Sequence, residues 1–442
     1  MAVGIPGRGE SQQHGQDKPN EEVLRLEYPG KKSREAILAT EPAYFAINPE
    51  YQAGDNRLYH ADNLPALAAL AKDEAIAGKV RLVYIDPPYA TASSFESRKQ
   101  THAYDDHLIG PAYVEALRER LILLHHIIAD DGSIYLHLDG RMAFHFRILL
   151  DEIFGASNFR NCITRKKCNP KNYTRRTYGN VSDYILFYTK SDNYVWNRPV
   201  EPWDELRAIK EYPCLDESGR RFKKVPIHAP GVRNGETGMT WRGMQPPPGK
   251  HWQYKPSTLD EMDARGEIYW SPTGNPRRKV YLDGSEGVPI QDIWMDLRDA
   301  HNQNIHVTGY PTEKNPLLLA RIIEASSNAG DIVLDCYAGS GTTLTTASRL
   351  GRKWIGIDNS DEAIKTILNR LLNGTNPMGD FVNTVRQCAL PLPLHTSITD
   401  FTLYKACETS SQEPLLSTAE SLGINPAQTL AGEAQAKTPL TA

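Results

Sequence analysis

Cysteine is scarce in this sequence, and its spacing argues against a structural zinc site and against a disulfide framework. The 442 residues contain six cysteines, none in a CxxC pair and none near histidines at zinc-finger spacing. A structural zinc site needs such clustering, and a disulfide framework needs many cysteines in a short secreted chain. We therefore predict no metal site and reduced thiols, as in a cytosolic protein.

Long hydrophobic runs are also absent. No apolar stretch approaches the roughly 20 residues that span a bilayer. Residues 1–22 are rich in glycine and glutamine and lack the apolar core of a signal peptide. These absences predict a cytoplasmic protein without a membrane segment, and residues 1–22 are predicted to form a disordered tail.

The overall charge does not point to a nucleic-acid partner, because the formal net charge is −4. Residues 160–176, however, carry arginines and lysines without a single acidic residue. Such a patch can neutralise phosphates, although a solvated basic loop gives the same pattern. The side chains that we predict to contact phosphates are Arg165, Lys166, Lys167, Lys171, Arg175 and Arg176.

Among the features that are present, the tetrapeptide Asp86-Pro87-Pro88-Tyr89 is the most informative. It follows an apolar run, residues 80–85, that is typical of a buried parallel strand. In open α/β sheets the chemistry lies at the carboxyl ends of the strands. The two prolines keep the turn extended and supply no N–H groups, so the turn offers a carboxylate, carbonyl oxygens and an aromatic face. These groups suit an exocyclic amine on a flat ring.

A glycine-rich turn, residues 335–343, follows a second predicted strand and precedes a helix. Its glycines allow the backbone to approach a ligand that lies at the helix N-terminus. Asp358 ends the next predicted strand, about 20 residues further on, where an acid usually binds ribose hydroxyls. The third glycine of the dinucleotide fingerprint is missing, and so is the P-loop lysine. This combination favours a nucleoside-bearing cofactor and disfavours ATP hydrolysis.

Strand and helix patterns alternate in two separate parts of the chain, which predicts an α/β fold with a Rossmann-like, doubly wound sheet. The alternation covers residues 23–157 and returns at 298–376. Between them, residues 158–297 are rich in tryptophan and turn signals, and we predict an inserted domain there. Tryptophans are more often core than base-stacking residues, so none of them is assigned a role. Residues 377–442 are rich in Ser, Thr, Pro and Ala and are predicted to be largely disordered.

Taken together, Asp86-Pro87-Pro88-Tyr89, residues 335–343 and the intervening Tyr310-Pro311-Thr312-Glu313-Lys314 resemble the amino-methylating DNA methyltransferases that use S-adenosylmethionine. The motif order resembles the beta group, in which the catalytic strand precedes the cofactor strands in a circularly permuted order and a target-recognition region lies between them. The methylation subunits of type III restriction-modification systems are the most similar kind. In the commonest family pattern a proline occupies the position of Asn315.

The resemblance implies a role for each matching residue. Asp86, Pro87, Pro88 and Tyr89 would form the catalytic turn, where Asp86 and the Pro87 carbonyl accept hydrogen bonds from the amine and Tyr89 stacks on the flipped base. Cofactor contacts would come from Asp62, Thr312, Lys314, Asp335, Tyr337, Gly339, Ser340, Gly341, Thr342 and Asp358. The implied partners are double-stranded DNA, a second copy of the chain as a homodimer, and a restriction endonuclease subunit.

Four functions are consistent with these residues, and one is favoured. Relatives that methylate cytosine N4 usually carry serine before Pro-Pro-Tyr, so Asp86 favours adenine N6. Cytosine-N4 methylation is the alternative that poses the same chemical problem. An inactive DNA-binding specificity subunit and a nicotinamide oxidoreductase are the other two candidates.

Overall fold

A computed structural model describes residues 24–88, 94–96, 102–105, 110–169, 176–299, 308, 310, 313–375 and 397–407. Four predicted site residues, Tyr89, Lys171, Arg175 and Thr312, lie outside these ranges. The chain divides into two compact units. One consists of Met1–Asn197 together with Asp292–Ala442, and the other is Arg198–Gln291.

The bounds of the elements are as follows. The strands are β1 (Tyr44–Gln52), β2 (Asn56–His60), β3 (Val80–Ile85), β4 (Ser94–Glu96), β5 (His102–Asp105), β6 (Ile128–Leu138), β7 (Phe159–Lys166), β8 (Ser182–Thr189), β9 (Val200–Glu201), β10 (Cys214–Leu215), β11 (Arg221–Pro226), β12 (His228–Pro230), β13 (Lys250–Trp252), β14 (Ile268–Trp270), β15 (Pro276–Tyr281), β16 (Val288–Pro289), β17 (Ile293–Trp294), β18 (Ile332–Asp335), β19 (Lys353–Asp358) and β20 (Phe401–Cys407). The helices are α1 (Arg34–Leu38), α2 (Asn63–Lys72), α3 (Gly110–Ile127), α4 (Ala143–Phe154), α5 (Glu205–Glu211), α6 (Pro256–Ala264), α7 (Pro316–Ser326), α8 (Thr342–Arg349) and α9 (Asp361–Asn373).

The first unit is built on a mixed sheet, to which the described residues contribute ten strands in the order β1-β20-β2-β19-β18-β3-β6-β8-β7-β17. The central run from β20 to β6 is parallel. β1 and β8 join it in antiparallel fashion. Parallel neighbours require crossover connections, which the helices supply. The predicted α/β fold is therefore confirmed.

β3, the strand that precedes Asp86, lies in the middle of this sheet, and both of its faces are buried. Val83 and Ile85 are fully buried in the core formed with α2, α3 and α4. Leu82 and Tyr84 are also fully buried, and they point to the opposite face because side chains alternate along a strand. β3 precedes β18 by a long stretch of chain yet pairs with it directly, which is the permuted order that the motifs predict.

The second unit has its own small sheet, in the order β10-β11-β15-β14, and a separate core. Trp241 and Trp252 are buried in this core and pack edge to face with their ring centroids 5.9 Å apart. These two tryptophans are core residues of the unit. The unit begins at Arg198, later than the predicted boundary at residue 158, because β7 and β8 pair with the main sheet.

The prediction of a largely disordered segment at 377–442 is wrong over part of its length. Residues 401–407 form β20, which lies between β1 and β2 inside the main sheet. Phe401 and Leu403 are almost fully buried there. A strand of this length carries only a weak local signal, since its stability comes from pairing with residues far away in the chain.

Within the described part of the chain, every helix is too short or too polar to cross a bilayer.

Candidate active site

The acidic turn and the glycine turn lie side by side at one edge of the main sheet. β3 and β18 are parallel neighbours, with Val83 opposite Leu334, so their carboxyl ends point the same way. Asp86 directly follows β3, and Asp335 ends β18. Burial raises the pKa of Asp335 to about 7, and the negative charges of Asp86 and Asp358 add to this increase. The two turns therefore meet at the same edge of the sheet.

The carboxylate of Asp86 is held from two sides and is only partly exposed. Lys314 Nζ forms an ion pair with Asp86 Oδ2. His137 Nδ1 lies 3.7 Å from Asp86 Oδ1. Pro87 is buried beneath the turn, and the Pro88 carbonyl accepts a hydrogen bond from the Tyr113 hydroxyl at 2.6 Å. The turn is therefore fixed at its acid and at its second proline.

Behind Asp86 lies a buried polar network centred on His137 of β6. The Tyr84 hydroxyl lies 2.8 Å from His137 Nδ1, and Asp183 Oδ2 lies 3.4 Å from Nε2. Burial lowers the pKa of His137, against the raising effect of Asp183 and Asp86. His137 was not among the predicted site residues. The available signal was one histidine inside an otherwise apolar strand, which a satisfied core histidine also produces.

The glycine turn is built around Asp335. This carboxylate accepts hydrogen bonds from the Thr343 hydroxyl at 2.6 Å and from the Tyr337 N–H at 3.0 Å. Gly339 and Gly341 have φ values of +49° and +73°, a region that side chains strongly disfavour. A Cβ on Gly341 would also lie only 3.0 Å from Ile367. Both glycines are therefore required by the backbone itself.

Asp358 braces the same turn from the end of β19. Its carboxylate accepts hydrogen bonds from the Gly339 N–H at 2.8 Å and the Ser360 N–H at 3.0 Å. Burial raises its pKa above the ordinary value, although these backbone hydrogen bonds lower it. Each carboxylate oxygen keeps acceptor capacity beyond these bonds. Asp358 can thus shape the turn and still accept hydrogen bonds from a ligand.

Asp62 begins α2 beside this turn. Its carboxylate caps the helix by accepting a hydrogen bond from the Leu64 N–H at 2.9 Å, and Arg120 donates to it at 3.1 Å. The side chain is 60% exposed, so it remains accessible to a ligand. The next residue, Asn63, donates to the Cys336 carbonyl at 2.7 Å. The start of α2 and the glycine turn are linked in this way. Neither Asn63 nor Arg120 was predicted to be a site residue.

A third segment, Glu313-Lys314-Asn315, connects the Asp86 turn with the glycine turn. Glu313 forms an ion pair with Arg370 of α9 at 2.8 Å, and both side chains are buried. Asn315 caps α7 through a hydrogen bond from the Leu317 N–H at 3.0 Å. An asparagine side chain supplies this cap directly. Ser340 and Thr342 of the glycine turn both accept hydrogen bonds from Arg370.

The predicted phosphate-binding side chains differ in their surroundings. Arg165 is fully buried: its guanidinium donates to the Leu297 carbonyl at 2.7 Å and pairs with Asp299 and Asp183. It cannot reach a phosphate at the surface, so for Arg165 the prediction is wrong. Lys167 pairs with Asp183 at 2.8 Å, Lys166 is half-buried, and Arg176 is exposed. Lys171 and Arg175 lie outside the described residues.

The residues at this edge fit S-adenosylmethionine, which combines a nucleoside, a sulfonium cation and an amino-acid group. The glycine turn leads into the N-terminus of α8, and helix N-termini favour anionic groups such as the carboxylate of an amino acid. Asp358 provides acceptors for hydroxyl groups. Asp335 adds a carboxyl group whose ionised form a cation nearby would favour. The fold and the site together define a methyltransferase that depends on S-adenosylmethionine.

Comparisons with known proteins identify the family. Residues 80–369 match the family model described as DNA methylase, which covers N6 and N4 methyltransferases. The chain is 49% identical over 395 residues to the type II methyltransferase M.EcaI of Enterobacter cloacae, with 86% of each chain covered. It is 26% identical over 347 residues to the Mod subunit of the type III restriction-modification enzyme StyLTI of Salmonella typhimurium, covering 69% of this chain and 51% of that subunit. The solved structure of the M1.HpyAVI–SAM complex aligns with a TM-score of 0.36 and 18% identity, over 71% of this chain and 99% of that chain. The chain belongs to the N6/N4 DNA methylase family.

Proposed function

We propose that this protein methylates the N6 amine of an adenine that is flipped out of duplex DNA, within a specific sequence. The observation that carries this proposal is the position of Asp86, a carboxylate at the end of β3 beside the glycine turn of β18. The acidic residue before Pro-Pro-Tyr distinguishes the chain from relatives with serine there, which act on cytosine N4.

In the proposed reaction the protein activates a weak nucleophile. The lone pair of adenine N6 is delocalised into the ring. Hydrogen bonds from the amine to the Asp86 carboxylate and the Pro87 carbonyl would draw the nitrogen towards tetrahedral geometry, so that its lone pair becomes available. S-adenosylmethionine, when bound beside the turn, would supply the methyl group. The N–C bond would form as the C–S bond breaks, leaving S-adenosylhomocysteine, and the surplus N–H proton would pass by way of the Asp86 carboxylate to solvent. Tyr89 would hold the base by stacking.

The remaining residues of the site would orient the cofactor. Asp358 would bind the ribose hydroxyls, and Asp62 would lie near the adenine of the cofactor. Thr312 and the turn residues Asp335, Tyr337, Gly339, Ser340, Gly341 and Thr342 would follow its methionine part. In-line alignment of the amine and the methyl group at roughly 3 Å would then account for much of the rate.

Two basic surfaces would bind the DNA backbone. Lys166, Lys167 and Arg176 would belong to the first, and the same role is proposed for Lys171 and Arg175, which lie outside the described residues. The second lies on the sheet of the Arg198–Gln291 unit, where Lys224 pairs in register with Lys279 and Arg277 lies on the same face. Like charges directly opposite each other destabilise a sheet, so a polyanion on this face would relieve their repulsion. Lys224 Nζ lies 3.6 Å from the centre of the Tyr269 ring, which adds an aromatic surface. The unit is proposed to recognise the target sequence.

Restriction-modification biology supports the proposed partners and location. The relative M.EcaI is a type II methyltransferase, and StyLTI Mod is a subunit of a type III restriction-modification enzyme. We therefore propose that this protein acts in the cytoplasm with a restriction endonuclease subunit as a partner. The homodimer is proposed from the family resemblance alone.

The direct test is to express the chain in a host that lacks DNA methylases and to analyse the nucleosides of its DNA. N6-methyladenine is expected, and long-read sequencing would show it in one motif. The matched control is Asp86→Ala, which should leave the DNA unmodified. N4-methylcytosine without N6-methyladenine would overturn the adenine assignment. Binding of S-adenosylmethionine without any methyl transfer over a broad DNA panel would favour the inactive specificity subunit.

A further inference from the structure

The segment Glu313-Lys314-Asn315 has a geometry that the proposed function does not explain. Resemblance to the family places Lys314 on the methionine part of the cofactor. In the structure its ammonium instead forms an ion pair with Asp86 Oδ2, and the Lys314 side chain is only 10% exposed. This ammonium therefore contacts the same carboxylate that would accept a hydrogen bond from the adenine amine.

The backbone on both sides of Lys314 is anchored. On one side Glu313 accepts hydrogen bonds from the N–H and the hydroxyl of Thr308, at 2.7 and 2.8 Å, and pairs with Arg370 at 2.8 Å. On the other side Asn315 caps α7. With both neighbours held in place, the backbone at Lys314 is restrained close to the Asp86 turn.

Arg370, the ion-pair partner of Glu313, also contacts the glycine turn. Arg370 Nη1 donates to the Ser340 carbonyl at 3.2 Å and to the Thr342 hydroxyl at 2.9 Å. The chain of contacts thus runs from the glycine turn through Arg370 and Glu313 to the backbone of Lys314. From there the Lys314 side chain reaches Asp86.

We propose that Lys314 is a positioning residue for Asp86 and that the Glu313–Arg370 pair fixes its place relative to the glycine turn. An ammonium on Oδ2 fixes the rotation of the carboxylate about χ2, so that the orientation in which it meets the amine is set. A carboxylate that is free to rotate would meet the amine in the right orientation only part of the time. The proposal rests on the role of Asp86 as the amine acceptor.

The test compares Lys314→Met with Lys314→Arg in single-turnover methyl transfer at saturating cofactor and DNA. We expect Lys314→Met to lower the rate constant about 100-fold, the usual scale for a misplaced catalytic group. The Kd for S-adenosylmethionine, measured by calorimetry, should stay within about threefold, because the cation acts on Asp86. Lys314→Arg, which keeps the positive charge, should recover most of the rate. The matched control is Lys353→Met, since Lys353 forms an exposed pair with Asp55, and its rate should not change.

A double-mutant cycle with Asp86→Asn shows whether Lys314 acts through Asp86. If it does, then Lys314→Met should have little further effect in the Asp86→Asn background, because the two residues form one unit. Independent, multiplying effects would overturn the proposal. It would also fail if Lys314→Met raised the Kd for S-adenosylmethionine tenfold or more while the rate at saturation stayed normal, because Lys314 would then be a cofactor ligand. Full activity of Asp86→Ala would instead refute the proposed function itself. Urea unfolding of each variant shows whether it is folded.

Discussion

Glu313 and Arg370, 57 residues apart in the chain, form an ion pair at 2.8 Å in which the two side chains are 0% and 2% exposed. A charge at such a depth is tolerated only when its partner is present. The pair therefore fixes α9 to the segment before α7, and Arg370 extends the connection to the glycine turn.

Replacing Glu313 by glutamine should destabilise the protein strongly. The change leaves the Arg370 guanidinium buried without its counter-charge, which typically costs about 3–5 kcal/mol of unfolding free energy. Urea denaturation measures this loss. Glu27→Gln is the matched control, because Glu27 pairs with Lys31 but is 75% exposed, and it should change stability by less than about 1 kcal/mol. Equal unfolding midpoints for the two variants would contradict the prediction.

Asp86→Ala should abolish methyl transfer without weakening the cofactor site. The loss of the amine acceptor is expected to lower the rate at least about 100-fold, as for other preorganised polar groups in active sites. The Kd for S-adenosylmethionine should change little, which calorimetry would measure. Asp55→Ala removes an exposed carboxylate and serves as the control. A normal transfer rate in Asp86→Ala would show that Asp86 is not the amine acceptor.

Asp358→Ala should weaken cofactor binding. The change removes the proposed acceptor for the ribose and also the carboxylate that receives the Gly339 and Ser360 N–H groups. A lost hydrogen bond to a charged group is worth about 1.5–3 kcal/mol, so the Kd should rise by roughly tenfold or more. Affinity for DNA should be retained. Asp361→Ala, at an exposed position on α9, is the control, and an unchanged Kd in Asp358→Ala would refute the role.

Asp335 should make the free protein less stable as the pH rises. Its pKa is raised from 3.8 to about 7 in the folded state. Between these two values the unfolded chain has already lost the proton while the folded protein retains it, so unfolding is favoured progressively, and the loss levels off above about pH 7. The unfolding free energy of the wild type minus that of Asp335→Asn should therefore fall from pH 4.5 to pH 7.5. A difference that does not change with pH would contradict the shifted titration.

Two neighbouring basic residues of β7 should respond differently to substitution. Arg165→Met leaves the buried Asp183 without one of its cations and should cost about 3–5 kcal/mol of stability. Lys166→Gln should leave stability nearly unchanged. If Lys166 contacts a phosphate, the slope of log K against log salt concentration should fall by about 0.9. Urea unfolding would test the stability of both variants, and DNA-binding titrations at several salt concentrations would give the slope. An unchanged slope would show that Lys166 does not contact a phosphate.

The sequence predicted the parts of this site that depend on local patterns. β3 and β18 appear as short apolar runs, because both faces of a central parallel strand are buried. The glycine turn is visible because positive φ values demand glycine. His137, Glu313 and Arg370 were missed, since each is a single polar residue whose partner lies far away in the chain. Arg165 was placed at the surface for the same reason: its sequence neighbours are basic, and the carboxylates that bury it come from β8 and from Asp299.

The position of β20 has a consequence for how the protein forms during synthesis. Asn56 of β2 donates hydrogen bonds to Asp400, 344 residues later in the chain, and β20 fills the space between β1 and β2. A ribosome therefore exposes β1 and β2 long before it delivers the strand that separates them. Until residue 407 has emerged, one margin of the nascent sheet stays incomplete, and that margin would be the place for a chaperone to shield.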